Sequence, residues 1–426
     1  MTQNLVNESV DHLFRHHSGQ MVSVLSRLFG LEKLDLIEDA IQDAMIQALK
    51  LWAFQGIPNN PRAWLIEVAK NKIFDQLRRS NKFEATNEEF ENASKHLQTL
   101  CFTDLVHFQN EVSEDVLQMM FACCHPLISP DSQVALTLKT VGGFSIGEIT
   151  SAFLSREETI AKMLTRAKQK LRQHKIRLEM PSPDKISSRF ESVLKVLYLM
   201  FNEGYNALQS KNLIRQDLCF EAIRLGKLLA NHPLTNLPKV HALLALFLFQ
   251  GARLNSRFDE NGDILLLSQQ NRSLWNKQMI AEGLQHFRLS AKGEELSDYH
   301  LEAEIASSHA VAKDFASTDW SRILSCYEIL SERSPSPIVT LNKTIALAKV
   351  KDAESGLRAL KTLKEEVSLT NYLPFYITLG ELQAETGRNL EAVDSYQKAV
   401  KLSGNEAIRR FLQKKMQEIK TNFKSS

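Results

Sequence analysis

Apolar residues recur three and four positions apart along almost the whole chain, and strict alternation is nearly absent, so the pattern predicts helices throughout. Leu34, Ile37, Ile41, Ala44, Met45, Ala48 and Trp52 share one helical face. Leu65, Val68, Ala69 and Leu77 form the inward side of a second helix, which opens at Asn60-Pro61 with a capping residue followed by proline at the first helical position. Val134, Ala135, Leu138 and Val141 mark a third that stops at Gly142-Gly143, and Ile160, Leu164, Ala167 and Leu171 a fourth. The expected class is all-α. One departure is expected between Arg257 and Leu267, where Asn261-Gly262 between short apolar runs reads as a β-hairpin. The longest strictly apolar run, Ala242 to Phe249, falls far short of the ~18–20 residues needed to span a bilayer.

Turn residues at Gly56-Ile57-Pro58, Gly142-Gly143, Pro181-Ser182-Pro183 and Pro335-Ser336-Pro337 punctuate the helices. Charge then divides the first 180 residues. Residues 84–115 hold eight acidic residues against one lysine, and residues 156–177 hold eight basic residues against two acidic ones. This places a small helical domain at 1–82, an acidic linker at 83–113, a second small domain at 114–178, and a larger helical body from 184 onward, divided into 184–330 and 331–426. In the last part Gly356, Leu360 and Leu363 recur 36 residues later as Ala392, Tyr396 and Ala399, the period and residue types of tetratricopeptide (TPR) repeats.

Composition adds exclusions. With 52 basic and 50 acidic residues the 426-residue chain carries a net charge of only +2, so local charge, not the total, must point to partners. Five scattered cysteines make no disulfide framework, and MTQNLVNESVDHLF has no basic start followed by an apolar stretch; a cytoplasmic protein is expected.

Three constellations invite a functional reading. Asp35, Asp39 and Asp43, flanked by Glu38 and Gln42, run down the polar side of the first helix. Like charges at this spacing cost ~0.2–0.5 kcal/mol per pair, so the stripe calls for a basic partner. On the next helix Lys70, Phe74 and Arg78 form one row and Asn71, Asp75 and Arg79 the adjacent one, with Trp64 and the preceding Trp52 and Phe54 nearby. Cations beside aromatic faces suit phosphates and unstacked bases. Further on, Ser145 with Glu148 and Ser155 with Glu158 read as two capping boxes ten residues apart, the spacing of a helix-turn-helix. Arg156 and Glu157 sit at the tip of its second helix, Thr159, Lys162 and Arg166 run along its free side, and Lys168, Lys170 and Arg172 are placed to hold phosphates.

Taken together these residues resemble the extracytoplasmic-function (ECF) sigma factors of bacterial RNA polymerase. Leu36 to Ala44, NNPRAWL at 59–65 and Ala69 to Arg79 resemble sigma region 2; Asp131 to Arg172 resembles region 4; no third region intervenes. The remainder is similar to the subgroup with a helical, TPR-containing extension, through FACCHP (121–126), LYLMFNEGY (197–205) and SPIVTLNKTIALA (336–348). The resemblance implies that Ile37, Glu38, Asp39, Gln42, Asp43 and Ala44 dock on the β′ clamp helices of core polymerase. It implies that Asn59, Asn60, Arg62, Trp64, Lys70, Asn71, Phe74, Asp75, Arg78 and Arg79 open and read the −10 element. It also implies that Arg156, Glu157, Thr159, Lys162, Arg166 and Lys168 read the −35 element beside the β flap. Lysine at 162 and 168 lacks the planar fork for bidentate guanine contact, which favours phosphate contact there.

No catalytic, metal or cofactor site is expected. Cys123-Cys124-His125 lacks a second ligand pair, Asp259-x-Asn261-Gly262-Asp263 lacks the closing glutamate of a calcium loop, and no nucleotide or hydrolase fingerprint occurs. The competing reading is a one-component helix-turn-helix regulator with a TPR sensor, whose first module only dimerises. A third, an enzyme with a pocket in 184–330, lacks converging titratable groups.

Overall fold

The computed structural model describes residues 3–79, 105–153, 155–205, 216–260, 263, 265–363, 372–404 and 406–424. Among these the chain is all-helical, and it divides into two compact units, Met1–Glu203 and Gly204–Ser426.

In the first unit α1 (Gln3–Phe29), α2 (Leu34–Gln55) and α3 (Pro61–Arg79) pack against one another. The apolar face expected on α2 is buried as a whole, from Leu34 to Trp52. Asn60 accepts a hydrogen bond from the Ala63 amide at 3.1 Å, capping the first turn of α3 as its sequence predicts. Next come α4 (Leu105–Cys123), α5 (Pro130–Thr140), α6 (Ile146–Ala152), α7 (Glu157–Gln173) and α8 (Pro183–Tyr205). Most of the acidic segment lies outside the described residues, but its end, 105–113, is the first part of α4 and not a linker, because the helical period that buries Val116, Leu117 and Met120 begins upstream. The Pro181-Ser182-Pro183 break does not end the unit either. Helix α8 continues it, with the Arg189 guanidinium donating to the Phe121 carbonyl at 3.2 Å.

Helices α5, α6 and α7 pack mutually. Ahead of α6 the Ser145–Glu148 capping box is formed in both directions: Glu148 accepts from the Ser145 amide at 2.7 Å, and Ser145 accepts from the Glu148 amide at 3.2 Å. The second expected box is not formed. Helix α7 starts at Glu157 with Arg156 as its capping residue and no side-chain cap, so Ser155 lies one position too early.

The modules expected at 1–82 and 114–178 lie against each other. Helix α1 packs on α4 and α5. At Gly19 the contact is so close that an added Cβ would meet the Val141 carbonyl oxygen at 1.9 Å. Arg27 also pairs with Asp115 at 3.0 Å, a carboxylate only 1% exposed.

The second unit centres on α10 (Pro238–Gly251), buried along nearly its whole length from Val240 to Phe249 and flanked by α9 (Gln216–Asn231), α11 (Lys277–Ser290) and α12 (Asp298–Val311). Then α13 (Trp320–Arg333), α14 (Pro337–Val350), α15 (Ala353–Leu363), α16 (Leu373–Glu385), α17 (Asn389–Leu402) and α18 (Glu406–Lys424) each pack on the next. Small residues set the close approaches: a Cβ at Gly356 would lie 2.6 Å from Ala348, and one at Gly380 2.6 Å from the Tyr396 ring. The expected hairpin is reduced to an isolated β-bridge at Phe258. Asp259 donates its amide to the Asp263 carbonyl at 3.0 Å and Leu265 to that of Arg257 at 2.9 Å, but no strand extends from them among the described residues. Two strands without a third are marginal in water; Asn261 and Gly262 lie outside the described residues.

Candidate functional site

The candidate residues fall on three helices of the first unit, and burial sorts them. On α2, Asp39 and Gln42 are exposed and Asp43 half-exposed, its carboxylate 3.1 Å from Lys72 Nζ on α3. Ile37 and Ala44, expected at the same docking surface, are fully interior, because they belong to the apolar face that binds α2 to its neighbours. The surface left for a partner is thus Asp39, Gln42 and Asp43, since Asp35 and Glu38 of the same polar side pair with α7.

On α3 and the loop before it, Asn59, Asn60, Asn71, Asp75, Arg78 and Arg79 are exposed. Phe54, one of the expected aromatics, precedes them and is 91% exposed, whereas Trp52 is buried. Trp64 is half-buried and meets Trp52 edge-on, 5.3 Å between centroids, and Arg62 donates to Gln20 of α1 at 3.1 Å. Two residues expected on the nucleic-acid side are inside. Phe74 is 4% exposed and stands edge-on to Phe29, and Lys70 is 3% exposed with its ammonium 2.6 Å from Glu67. The inward face is wider than the sequence reading drew it. Ile66, Ala69, Lys70, Ile73, Phe74 and Leu77 are all buried, so the row through 70 and 74 turns into the core and only Arg78 of that row reaches solvent.

On α7 the expected inward set Ile160, Leu164, Ala167 and Leu171 is buried. Arg156, Glu157, Thr159, Lys162 and Arg166 are exposed, and Thr159, Lys162 and Arg166 fall on one side of the helix. Lys168 departs from them. It lies on the flank turned to α2, 13% exposed, and its ammonium is 2.8 Å from Asp35 and 2.9 Å from Glu38. One turn on, Arg172 pairs with Asp35 at 3.0 Å and donates to the Glu32 carbonyl at 3.1 Å. Partial burial raises the Asp35 carboxyl, but Lys168 and Arg172 beside it outweigh that and hold it below the ordinary carboxylate range. Burial likewise lowers Lys168, and Glu38 and Asp35 more than restore it, so its pKa is raised. Asp35 was expected to meet a basic partner and Arg172 to hold phosphate, but here they pair with each other, and the Glu32 carbonyl is the member not singled out in the sequence. The charges of Asp35 and Arg172 are visible in the sequence, but the separation of 133 positions between Asp35 and Lys168 hides the pairing.

Cys123 at the end of α4 and Cys124 just after it are buried against Thr140 and Thr137 of α5, and burial pushes the Cys123 thiol up to about 12. Both side chains pack as small apolar groups. No group of three or more potential metal ligands converges among the described residues, and no helix there is long and apolar enough to cross a membrane.

Comparison with known proteins supplies a frame. Residues 13–83 match Sigma-70 region 2, the span that holds α2 and α3, and residues 189–291 match a family of unknown function, DUF6596. The chain is 35% identical over 390 residues to "Uncharacterized protein R00370" of Rhizobium meliloti (strain 1021), covering 91% of this chain and 90% of that protein. No solved structure matches.

Proposed function

Because the chain belongs to the same family as the Rhizobium protein, and its residues 13–83 are a sigma-70 region 2, we propose that it acts as an ECF-type sigma factor with a built-in carboxy-terminal regulatory domain. At the coarser level the region 2 match makes it a sigma factor of transcription initiation, with core RNA polymerase and promoter DNA as partners. The finer assignment follows from which side chains are exposed.

The observation that carries it is the exposed acidic row Asp39, Gln42 and Asp43 on α2, adjoining α3 with its exposed Asn71, Arg78 and Arg79. Carboxylates in a row suit a basic helical partner, here the β′ clamp helices. Amides, guanidiniums and the exposed Phe54 ring suit melted −10 DNA: cations hold phosphate, amides read base edges, and unpaired bases stack on aromatic faces. Thr159, Lys162 and Arg166 on α7, with Arg156 and Glu157 at its start, form a second reading surface suited to the major groove of the −35 element, close to the β flap. The chain performs no bond chemistry in this scheme and works in the cytoplasm. It lends promoter specificity to an enzyme that has none and stabilises the open duplex by capturing its bases.

In the second unit the successive helices α13 to α18, with glycines closing against Ala348 and Tyr396, support a TPR-like stack that binds a protein segment. The rival reading, a one-component regulator whose first module dimerises, would use α2 as an apolar seam; the α2 residues facing out are chiefly polar. Co-sedimentation of the full chain with purified core polymerase at low and moderate salt tests the proposal. A one-to-one complex is expected. DNA binding without any association with core would replace it with the regulator.

A further inference from the structure

In the second unit the chain between α10 and α11 folds back on itself. The short turns Leu254–Ser256 and Arg272–Leu274 touch, and the Asn276 amide donates to the Ala252 carbonyl at 2.8 Å. Three guanidiniums gather there. Arg253 and Arg257 both lie over the ring of Tyr205, at the start of this unit, 5.5 and 4.0 Å from its centroid, and Arg272 lies 5.1 Å from that of Trp275. Arg253 donates to the side-chain oxygens of Gln250 at 3.2 Å and Gln270 at 3.3 Å. Arg257 donates to the Tyr205 carbonyl at 2.5 Å. Arg272 donates to the carbonyls of His309 and Ala312 at 2.6 and 2.8 Å and to the Thr318 hydroxyl at 3.1 Å. Every acceptor is neutral.

Neutral dipoles solvate a cation but do not cancel its field, so three partly buried guanidiniums without a counter-charge are costly to hold together. Among the described residues no carboxylate pairs with any of them. The acids of the same loops are engaged elsewhere: Asp263 with Arg410 at 2.6 Å, Asp259 with the Asp263 amide at 2.8 Å, and Asp314 with the Ser317 amide at 2.8 Å. The excess positive field is felt by every titratable group around Arg253. Burial first, and Arg253 in addition, lowers Arg257 and Arg272. Burial together with Arg253 and Arg272 pushes His309 down to about 4, which leaves its imidazole neutral at pH 7. The buried Nδ1 of that ring has no hydrogen-bond partner among the described residues.

We propose that this cluster binds a terminal phosphate group, free or carried by a small molecule, between Arg253 and Arg257 beside Tyr205. Arg253 Nη2 and Arg257 Nε and Nη2 make no hydrogen bond among the described residues, and they are the donors the phosphate meets. Charge selects the ligand class. A terminal phosphate carries about −1.5 to −2 at pH 7 and offers three acceptor oxygens, enough for two guanidinium forks. A carboxylate or a nucleic-acid phosphodiester brings a single charge and leaves one guanidinium uncompensated. Arg272 has a different part. Its donors are taken by the last carbonyls of α12, so it fixes the loop and adds its field. The site lies wholly in the second unit and does not depend on the sigma-factor reading; it gives the carboxy-terminal body a ligand of its own.

Isothermal titration calorimetry of the full-length chain with inorganic phosphate, at constant low ionic strength set with sodium chloride, tests this. Saturable binding at one site per chain is expected, weakened about tenfold or more in Arg253→Gln by loss of a charge-assisted contact. Arg253 is the arginine to change because it donates only to side-chain amides and holds no backbone carbonyl. Thermal unfolding is the second readout. Without phosphate the variant should melt at or above the native Tm, because a repelling charge has gone. Phosphate should then raise the native Tm more than the variant's; the difference is what counts, since phosphate stabilises folded proteins in general by exclusion from their surface. Ribose 5-phosphate binding more tightly than inorganic phosphate assigns the site to an esterified group, and weaker binding assigns it to the free ion. No saturable heat in the native chain, or equal Tm rises in both chains, overturns the site. A variant that melts lower without phosphate and shows no phosphate-dependent difference gives Arg253 to the fold alone. Displacement of phosphate by acetate, or by an oligothymidylate lacking terminal phosphates, overturns the ligand class. None of these readings involves core polymerase, so the site and the sigma-factor reading stand or fall separately.

Discussion

Gly19 sits within α1, where alanine is ordinarily the better helix former by about 1 kcal/mol, yet a Gly19→Ala variant should be less stable than the native chain. The added Cβ would lie 1.9 Å from the Val141 carbonyl oxygen and 2.7 Å from its carbon, both backbone atoms that cannot rotate away, whereas real Cβ contacts essentially never fall below 3.0 Å. Helix α1 or the end of α5 must therefore retreat by more than 1 Å. Overpacking of this kind costs typically ~1–3 kcal/mol and also loosens the close packing around it, which outweighs the gain in helix propensity. A net loss of about 1–2 kcal/mol in a unit of this size lowers Tm by roughly 2–8 °C. Thermal unfolding followed by near-ultraviolet circular dichroism gives the size. Hydrogen exchange gives the place, with protection falling first in α1 and α5. A rise in Tm, as helix propensity alone demands, would show that α1 does not press on the backbone of α5 and would refute the packing described for the first unit.

Three further outcomes follow from the placement of side chains. Asp39→Lys and Asp43→Lys, both at solvent-facing positions of α2, should each reduce core-polymerase binding at least tenfold with Tm unchanged within about 2 °C; normal binding by both would remove the docking assignment. Arg166→Ala should weaken binding to −35 DNA by ~1–3 kcal/mol if its guanidinium contacts a base, and an unchanged footprint there would take it out of the reading surface. Cys123, pushed up to about 12 from an ordinary 9.0 by burial, should resist alkylation at pH 8 until the chain unfolds. Stability should fall as pH rises from about 9 toward 12, because the unfolded thiol ionises there while the folded one stays neutral. Rapid labelling of Cys123 in the folded protein would contradict its burial.

Much of the fold was legible because its signals are local. The apolar face of α2, the Asn60-Pro61 start of α3, the Ser145–Glu148 box and the stop at Gly142-Gly143 each span fewer residues than one helix, and each is found where the sequence puts it. Errors arose where two rows of one helix compete for the same neighbour. Lys70 and Phe74 carry the chemistry of a nucleic-acid face, but their angular position beside Ala69, Ile73 and Leu77 sends them inward, and Ile37 and Ala44 follow the same rule on α2. Residue type alone cannot decide such cases; the width of the buried stripe does. The third group was out of reach altogether. Gly19 with Val141, Arg27 with Asp115 and Lys168 with Asp35 join residues about 90 to 130 positions apart, and no periodicity encodes such pairs. They are the contacts that turn two expected modules into one body.

Transcription with purified components tests the central claim most directly. Core RNA polymerase alone should give no discrete run-off product from a promoter of the cognate class. Adding the full-length chain should produce one start site whose yield collapses with Asp39→Lys or with loss of either promoter element. A chain that leaves core polymerase silent on every template in a genomic library, while still binding DNA by itself, would contradict the account.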